Sequence, residues 1–308
     1  MMSVFRKPGE RMIRDPGDLR LGDIVRSSTN CPSECLCIAG VPWDWSTAGR
    51  PGARFAPSRL REYLYSYNLH KDLCLCDWGD IAIAPGDLGK TSQRIYEAVE
   101  NLSRTCKGFL LLGGDHSITR YSVSSALETL GGRAGLLVFD AHLDLRELSE
   151  GLSSGTYLRD LLSERGDRLR VAVIGVRSHS TPRYMLSLAE KLGVKYLYSD
   201  DLDIGSVVNT LDEIFSNVDW IYISFDSDSL DPSQCPGVNS PSPLGISLKD
   251  AVKILDMVMK RYRIVGGDIV EYTPPLDQGD LCGRNLALIA YRIINNMWTS
   301  SARHKAPQ

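Results

Sequence analysis

Eight apolar runs, each three to seven residues long, recur along this chain with helix-like stretches between them. They fall at 35–41, 73–76, 109–112, 135–139, 171–176, 196–198, 220–225 and 264–270. Between and after them, 92–107, 117–130, 155–164, 182–192, 204–216, 248–261 and 284–298 read as helices. A strand buried on both faces has no polar side to present, so it reads as an unbroken apolar run. Strands of that kind separated by helices predict a parallel sheet covered on both faces. No low-complexity linker or internal repeat divides the chain. Residues 1–308 are therefore read as one domain, with a polar N-terminal extension over about 1–30 and a short polar tail over about 299–308.

Composition narrows the partners. A hydrophobic fraction of 43% suits a globular protein with a sizeable core, and a formal net charge of −3 predicts no nucleic-acid partner. No signal peptide is read near the start, and no run approaches the roughly 18 apolar residues of a membrane span. A cytoplasmic location without membrane contact is the expectation. Of the eight cysteines, Cys31, Cys35 and Cys37 cluster, as do Cys74 and Cys76. Their spacing matches no paired CxxC zinc arrangement, and four lie in strand-like segments, so buried free thiols are the preferred reading. Structural disulfides remain open, as in hyperthermophile proteins.

Three of the apolar runs end in metal-binding side chains. The run 109–112 leads into Gly113-Gly114-Asp115-His116, and 135–139 into Asp140-Ala141-His142-Leu143-Asp144. The run 220–225 leads into Asp226 and Asp228. Side chains at i, i+2 and i+4 of an extended segment point the same way, so Asp140, His142 and Asp144 can face one site. In parallel sheets ligands gather beyond the carboxyl ends of the strands, where His116, Asp140, His142, Asp144, Asp226 and Asp228 all fall. A single Asp after a strand is usually a turn or cap residue. Four carboxylates buried together without cations would be very costly. Two imidazoles and four carboxylates with no thiolate suit manganese better than a closed zinc site. Two divalent ions would cancel the charge of −4 and, at about 3.5–4 Å separation, ionise a bridging water for hydrolysis. Glu271, at the end of the last run, is left over to bind a planar cation such as amidinium or guanidinium through paired hydrogen bonds. A helix cap or surface position is its bland alternative.

These segments resemble the ureohydrolase superfamily of arginase, agmatinase, guanidinobutyrase and formimidoylglutamase. Gly113–Ser117, Asp140–Asp144, Ser224–Pro232 and Glu271 with Pro274 carry the resemblance, and 40–57 is similar to the family's first strand and following loop. The resemblance covers about 35–293 and implies a three-layer α/β/α fold, mostly parallel and eight-stranded, with two Mn2+ ions. By motif position, His116, Asp140, Asp144 and Asp226 would hold one ion, and Asp140, His142, Asp226 and Asp228 the other. It also implies a homo-trimer or homo-hexamer.

Within the superfamily the signals are mixed. Arginases and agmatinases carry a His soon after the Asp-x-His segment; here Ser154 takes its place, and a serine relays no protons near neutral pH. Asp140–Arg146 followed by Ser154-Gly155-Thr156, and the Pro236–Pro241 loop, resemble formimidoylglutamase. Gly114–Ser117 and the loop 50–54 resemble arginase and agmatinase. Formimidoylglutamate has two carboxylates, and Arg146 is a candidate cation for one of them; a structural ion pair is the equal alternative. Arg159 and Arg177 are read as solvated or structural charges.

The expectation is thus a binuclear manganese hydrolase of a small-molecule amidine or guanidine. Glu271 would hold the substrate, Asp144 or a water would pass the proton to the leaving amine, and Arg146 and Ser154 would contact substrate. N-formimidoyl-L-glutamate, giving glutamate and formamide, is preferred; agmatine or another guanidino compound, giving urea, is the alternative. A binuclear phosphoesterase would need more histidines than the chain offers, since His70, His179 and His304 lie outside the ligand motifs. A catalytically inactive homologue is a further alternative.

Overall fold

The computed structural model describes residue 15, residues 17–28 and residues 31–303. The expected extension and tail lie partly outside these residues, as does His304. The strands are β1 (Arg26–Ser27), β2 (Leu36–Gly40), β3 (Leu75–Asp80), β4 (Gly108–Leu112), β5 (Ala134–Phe139), β6 (Leu169–Val176), β7 (Lys195–Tyr198), β8 (Trp220–Asp226) and β9 (Ile264–Val270). They form one sheet in the order β1-β3-β2-β4-β9-β8-β5-β6-β7. Every pairing in it is parallel. The expectation was eight strands, mostly parallel. The ninth is β1, two exposed residues at the sheet edge. An edge strand that short buries no side chain and leaves no apolar signature.

The helices are α1 (Leu21–Ile24), α2 (Ala56–Leu64), α3 (Leu88–Thr105), α4 (Ile118–Leu130), α5 (Tyr157–Arg165), α6 (Arg183–Leu192), α7 (Ile204–Ile214), α8 (Leu248–Arg261) and α9 (Leu281–Arg303). On one face α2, α7, α8 and α9 bury Leu60, Leu211, Ile254 and Leu286 against the sheet. On the other, α3, α4, α5 and α6 bury Val99, Val123, Leu161 and Ala189. Each fully buried Leu, Ile or Val contributes roughly 1.5–3 kcal/mol. This is the three-layer α/β/α arrangement. Helix α2 falls where the sequence reads as loop. Its buried positions are only Ala56, Pro57, Leu60, Tyr63 and Leu64, interrupted by Arg59, Arg61 and Glu62. Among the described residues no helix is long and apolar enough to cross a membrane.

The cysteines correct the free-thiol expectation. All eight are paired, as Cys31–Cys76, Cys35–Cys74, Cys37–Cys106 and Cys235–Cys282. The cause is topological. Parallel pairing sets Cys37 of β2 opposite Cys76 of β3. The end of α3 then brings Cys106 onto the same layer. Partners 39 to 69 positions apart in sequence meet only through those pairings.

Candidate metal centre and substrate cavity

The strands β4, β9, β8 and β5 are neighbours at the middle of the sheet. Although β4 and β5 are consecutive in the chain, they lie on opposite sides of the β9–β8 pair. The chain's progress across the sheet therefore reverses here, and a crevice opens beyond the carboxyl ends. His116 follows β4, Asp140 to Asp144 follow β5, Asp226 closes β8 with Asp228 in the turn after it, and Glu271 follows β9. Gly113 and Gly114 turn the chain off β4 at φ 83° and 89°, and a Cβ on Gly113 would stand 2.6 Å from Pro57. Asp144 and Glu271 also occupy the left-handed region, at φ 48° and 62°. That conformation costs a residue with a Cβ roughly 1–2 kcal/mol, and such strain clusters at functional positions.

The six expected ligands converge. His116 Nδ1 lies 3.1 Å from Asp140 Oδ2, 3.2 Å from Asp144 Oδ2 and 3.0 Å from Asp226 Oδ2. His142 Nδ1 lies 3.4 Å from Asp140 Oδ1 and 3.1 Å from Asp228 Oδ2. Asp140 thus faces one histidine with each oxygen. Two sets, His116/Asp140/Asp144 and Asp140/His142/Asp228, each hold ligand atoms within 4.8 Å of one another. Backbone donors aim the carboxylates. His142 N–H donates to Asp140 Oδ1 (2.7 Å), Asp228 N–H to Asp226 Oδ1 (2.8 Å) and Ala141 N–H to Asp228 Oδ1 (3.2 Å).

A buried network behind His116 tests whether this cage suits a cation. The hydroxyls of Thr119, Tyr222 and Ser224 donate to Asp268 at 2.9, 2.8 and 2.6 Å. Each hydroxyl has one proton to give. Ser224 Oγ, 2.9 Å from His116 Nε2, must therefore accept from the neutral imidazole. That places the ring proton on Nε2 and leaves the Nδ1 lone pair facing three carboxylate oxygens. Nδ1 is buried and has no hydrogen-bond partner. A divalent cation fits that arrangement, with a fixed tautomer and the second nitrogen hydrogen-bonded behind it.

The electrostatics agree. Left to itself, the cluster balances its charge with protons. The Asp228 carboxylate pushes His142 up to about 12. Burial opposes protonation of His116, but Tyr157 and the three carboxylates raise it well above its ordinary value. Burial and Asp140 push Asp144 up to about 7, and burial with Asp228 and Asp140 pushes Asp226 well up. Burial would raise Asp140 as well, yet the two histidines hold it below the usual range. Two divalent cations would fill the same charge-balancing role.

The centre opens into a cavity of about 590 Å³ that His116, His142, Asp144, Asp226, Asp228 and Glu271 line together with Arg50, Arg146, Ser154 and Asn239. Glu271 is buried, and its Oε1 accepts the His116 N–H at 2.8 Å. Burial and the nearby Asp115 charge push its carboxyl well above the usual range. Arg146 is exposed at the cavity wall, and its guanidinium has no hydrogen bond or ion pair among the described residues. The structural ion pair that is its alternative from sequence is not formed among the described residues. Ser154 lines the cavity, but its Oγ accepts from Ala48 N–H at 3.3 Å, so the hydroxyl braces the neighbouring loop. Arg159 lies 3.9 Å from Glu147.

Several contributing residues escaped the sequence reading. Asp115 accepts from Ser46 N–H and Ser117 N–H, and Asp44 from Gly52 N–H and Arg54, which shapes the loop 44–54 over the cavity. Burial pushes Asp115 up to about 6. Arg50 donates to the carbonyls of Val238 and Asn239, joining that loop to 238–239. Asp268 and Ser224 carried a usable signal, since each is a polar intruder in an otherwise apolar buried strand.

Residues 35–299 match the model of the Arginase family. The chain is 35% identical over 272 residues to the human mitochondrial guanidino acid hydrolase, covering 84% of this chain and 76% of that one. The fold is similar to the crystal structure of formimidoylglutamase from Bacillus subtilis, with a TM-score of 0.88 and 27% identity over 96% of this chain and 97% of that one. It is also similar to Trypanosoma cruzi formiminoglutamase solved with Mn2+, with a TM-score of 0.81 and 24% identity over 92% and 99% of the two chains.

Proposed function

The chain belongs to the arginase family, and from that premise we propose that it is a binuclear manganese hydrolase of a linear amidine bearing carboxylates, N-formimidoyl-L-glutamate first among them. The observation that carries the substrate class is Arg146, a guanidinium without a partner among the described residues, on the wall of a cavity otherwise rich in carboxylates. An acidic substrate tail satisfies that cation; the ammonium of agmatine would be repelled by it. The similar human protein bears the name guanidino acid hydrolase, and the similar Bacillus subtilis protein is a formimidoylglutamase. Both names denote acid substrates. A guanidino acid, releasing urea, is the second reading, favoured by the human relative.

His116, Asp140, Asp144 and Asp226 would hold one ion, and Asp140, His142, Asp226 and Asp228 the other. An oxygen- and imidazole-rich donor set favours manganese, the ion solved in the Trypanosoma cruzi protein of the same fold. When bound, such a pair supplies Lewis acidity that lowers the pKa of water to near neutrality. Glu271 accepts the N–H groups of the amidine and fixes its plane, with the His116 N–H holding the carboxylate in place. Water adds to the central carbon. Asp144 takes the proton that the adding water gives up and passes it to the leaving amino nitrogen, a task Ser154 cannot perform. The C–N bond breaks to give glutamate and formamide.

Purified protein supplied with Mn2+ and offered N-formimidoylglutamate, 4-guanidinobutyrate and agmatine tests this directly. Formamide from the first is the expected product. Urea from agmatine, with no turnover of either acid, overturns the reading. A homo-trimer or homo-hexamer in solution is proposed on the same family basis.

A further inference from the structure

Arg177 follows β6 and is fully buried, yet among the described residues no carboxylate touches its guanidinium. Its partners are all backbone carbonyls. Nη2 donates to Asp228 at 2.9 Å and Ser229 at 3.1 Å, with Leu230 and Ser242 at 3.4 Å. Nε donates to Pro243 at 3.1 Å and Ser242 at 3.4 Å, and Nη1 to Gly175. Burying a guanidinium without a paired carboxylate is expensive, so the fold retains it against a cost.

The arrangement closes a circuit around one half of the centre. Arg177 N–H donates to the Ala141 carbonyl at 3.0 Å. Ala141 N–H donates to Asp228 Oδ1 at 3.2 Å. The Asp228 carbonyl accepts from Arg177 Nη2. Both ends of the Asp140–His142 and Asp228 set are thus referred to one residue that contacts no ligand side chain. Its positive charge also lies within the field of the Asp228 and Asp140 carboxylates, which otherwise repel one another.

We infer that Arg177 is a positioning residue that fixes the backbone at Asp228 and at Ala141 before any divalent ion arrives, and thereby sets the affinity of the Asp140/His142/Asp228 half of the centre. This rests on the metal-centre reading. Two measurements test it, neither of them an activity. The first is hydrogen exchange on chelator-treated wild-type protein. The amides of Ala141, Arg177, Asp228 and Asp231, each hydrogen-bonded in or beside this circuit, are expected to be as protected without Mn2+ as with it. Protection that appears only on adding Mn2+ overturns the inference. The second is Mn2+ titration of Arg177→Met and Arg177→Lys by calorimetry and by the EPR signal of free Mn2+. One of two binding steps is expected to weaken at least tenfold in the Met variant and less in the Lys variant, the other staying within about threefold. Two steps weakened equally, or neither weakened in a folded variant, overturn it. If the Met variant does not fold, the exchange measurement decides. Wild-type protein that takes up no Mn2+ at all overturns the metal-centre reading itself, a result distinct from any of these.

Discussion

Glu271 Oε1 accepts the backbone N–H of His116 at 2.8 Å, across 155 positions of sequence. The residue proposed to hold the substrate and a residue proposed to hold metal are therefore oriented by one hydrogen bond between the ends of adjacent strands. Glu271 adopts φ 62° to make it. Glu271→Gln keeps the shape and removes the charge. Charge-assisted hydrogen bonds contribute about 1.5–3 kcal/mol, so kcat/KM is expected to fall roughly 10–150-fold. Manganese content should not change, and elemental analysis beside steady-state kinetics checks both.

Arg146→Ala removes the proposed anchor for the substrate carboxylate. KM for N-formimidoylglutamate is expected to rise about 10–100-fold with a smaller change in kcat. An unchanged KM would show that the guanidinium contacts solvent alone.

Asp228→Asn removes one carboxylate from the His142 side and leaves His116, Asp144 and Asp226 intact. The variant is expected to retain one tightly held Mn2+ per chain where the wild type retains two. Chelation should abolish wild-type activity and added Mn2+ restore it. Two ions in the variant would remove Asp228 from the ligand set.

Asp77 predicts a pH effect far from the centre. Burial alone would raise its carboxyl, but the Arg61 fork at 2.7 and 3.0 Å and the Tyr65 hydroxyl more than offset this and hold it below the usual range. A depressed carboxylate contributes stability that is present above its unfolded value, near 3.9, and lost as pH falls through the folded one. Asp77→Asn should therefore lower stability near neutral pH and flatten its acid dependence below about pH 4. Urea melts at pH 7 and pH 3 measure the difference.

All eight cysteines should resist alkylation in denaturant until a reductant is added, and mass spectrometry counts the labels. Reduction should destabilise the chain, since each bridge typically contributes about 2–4 kcal/mol. Eight labels on unreduced protein would return the cysteines to thiols. Four bridges suit an oxidising compartment or the interior of a hyperthermophile.

Much of the scaffold was readable because parallel strands advertise themselves. Runs such as Ala134–Phe139 are apolar on both sides, and the helix Leu248–Arg261 has a Ser247 cap and basic last-turn residues. Failures came where local pattern and burial part company. The two exposed residues of β1 bury nothing, and α2 reaches the core through few side chains.

The sequence by itself determined that ligand-bearing segments end successive buried strands, because strand burial and side-chain alternation are local properties. The six candidate ligands and Glu271 can be read from it as residues that follow buried strands. Only the tertiary structure decided which strands are neighbours, and hence that His116 faces Asp226, that Cys37 meets Cys106, and that Ser154 braces Ala48. Those contacts join positions from several tens to just over a hundred residues apart. Chain order constrains them weakly, whereas the β4-β9-β8-β5 arrangement fixes them through backbone pairing and packing.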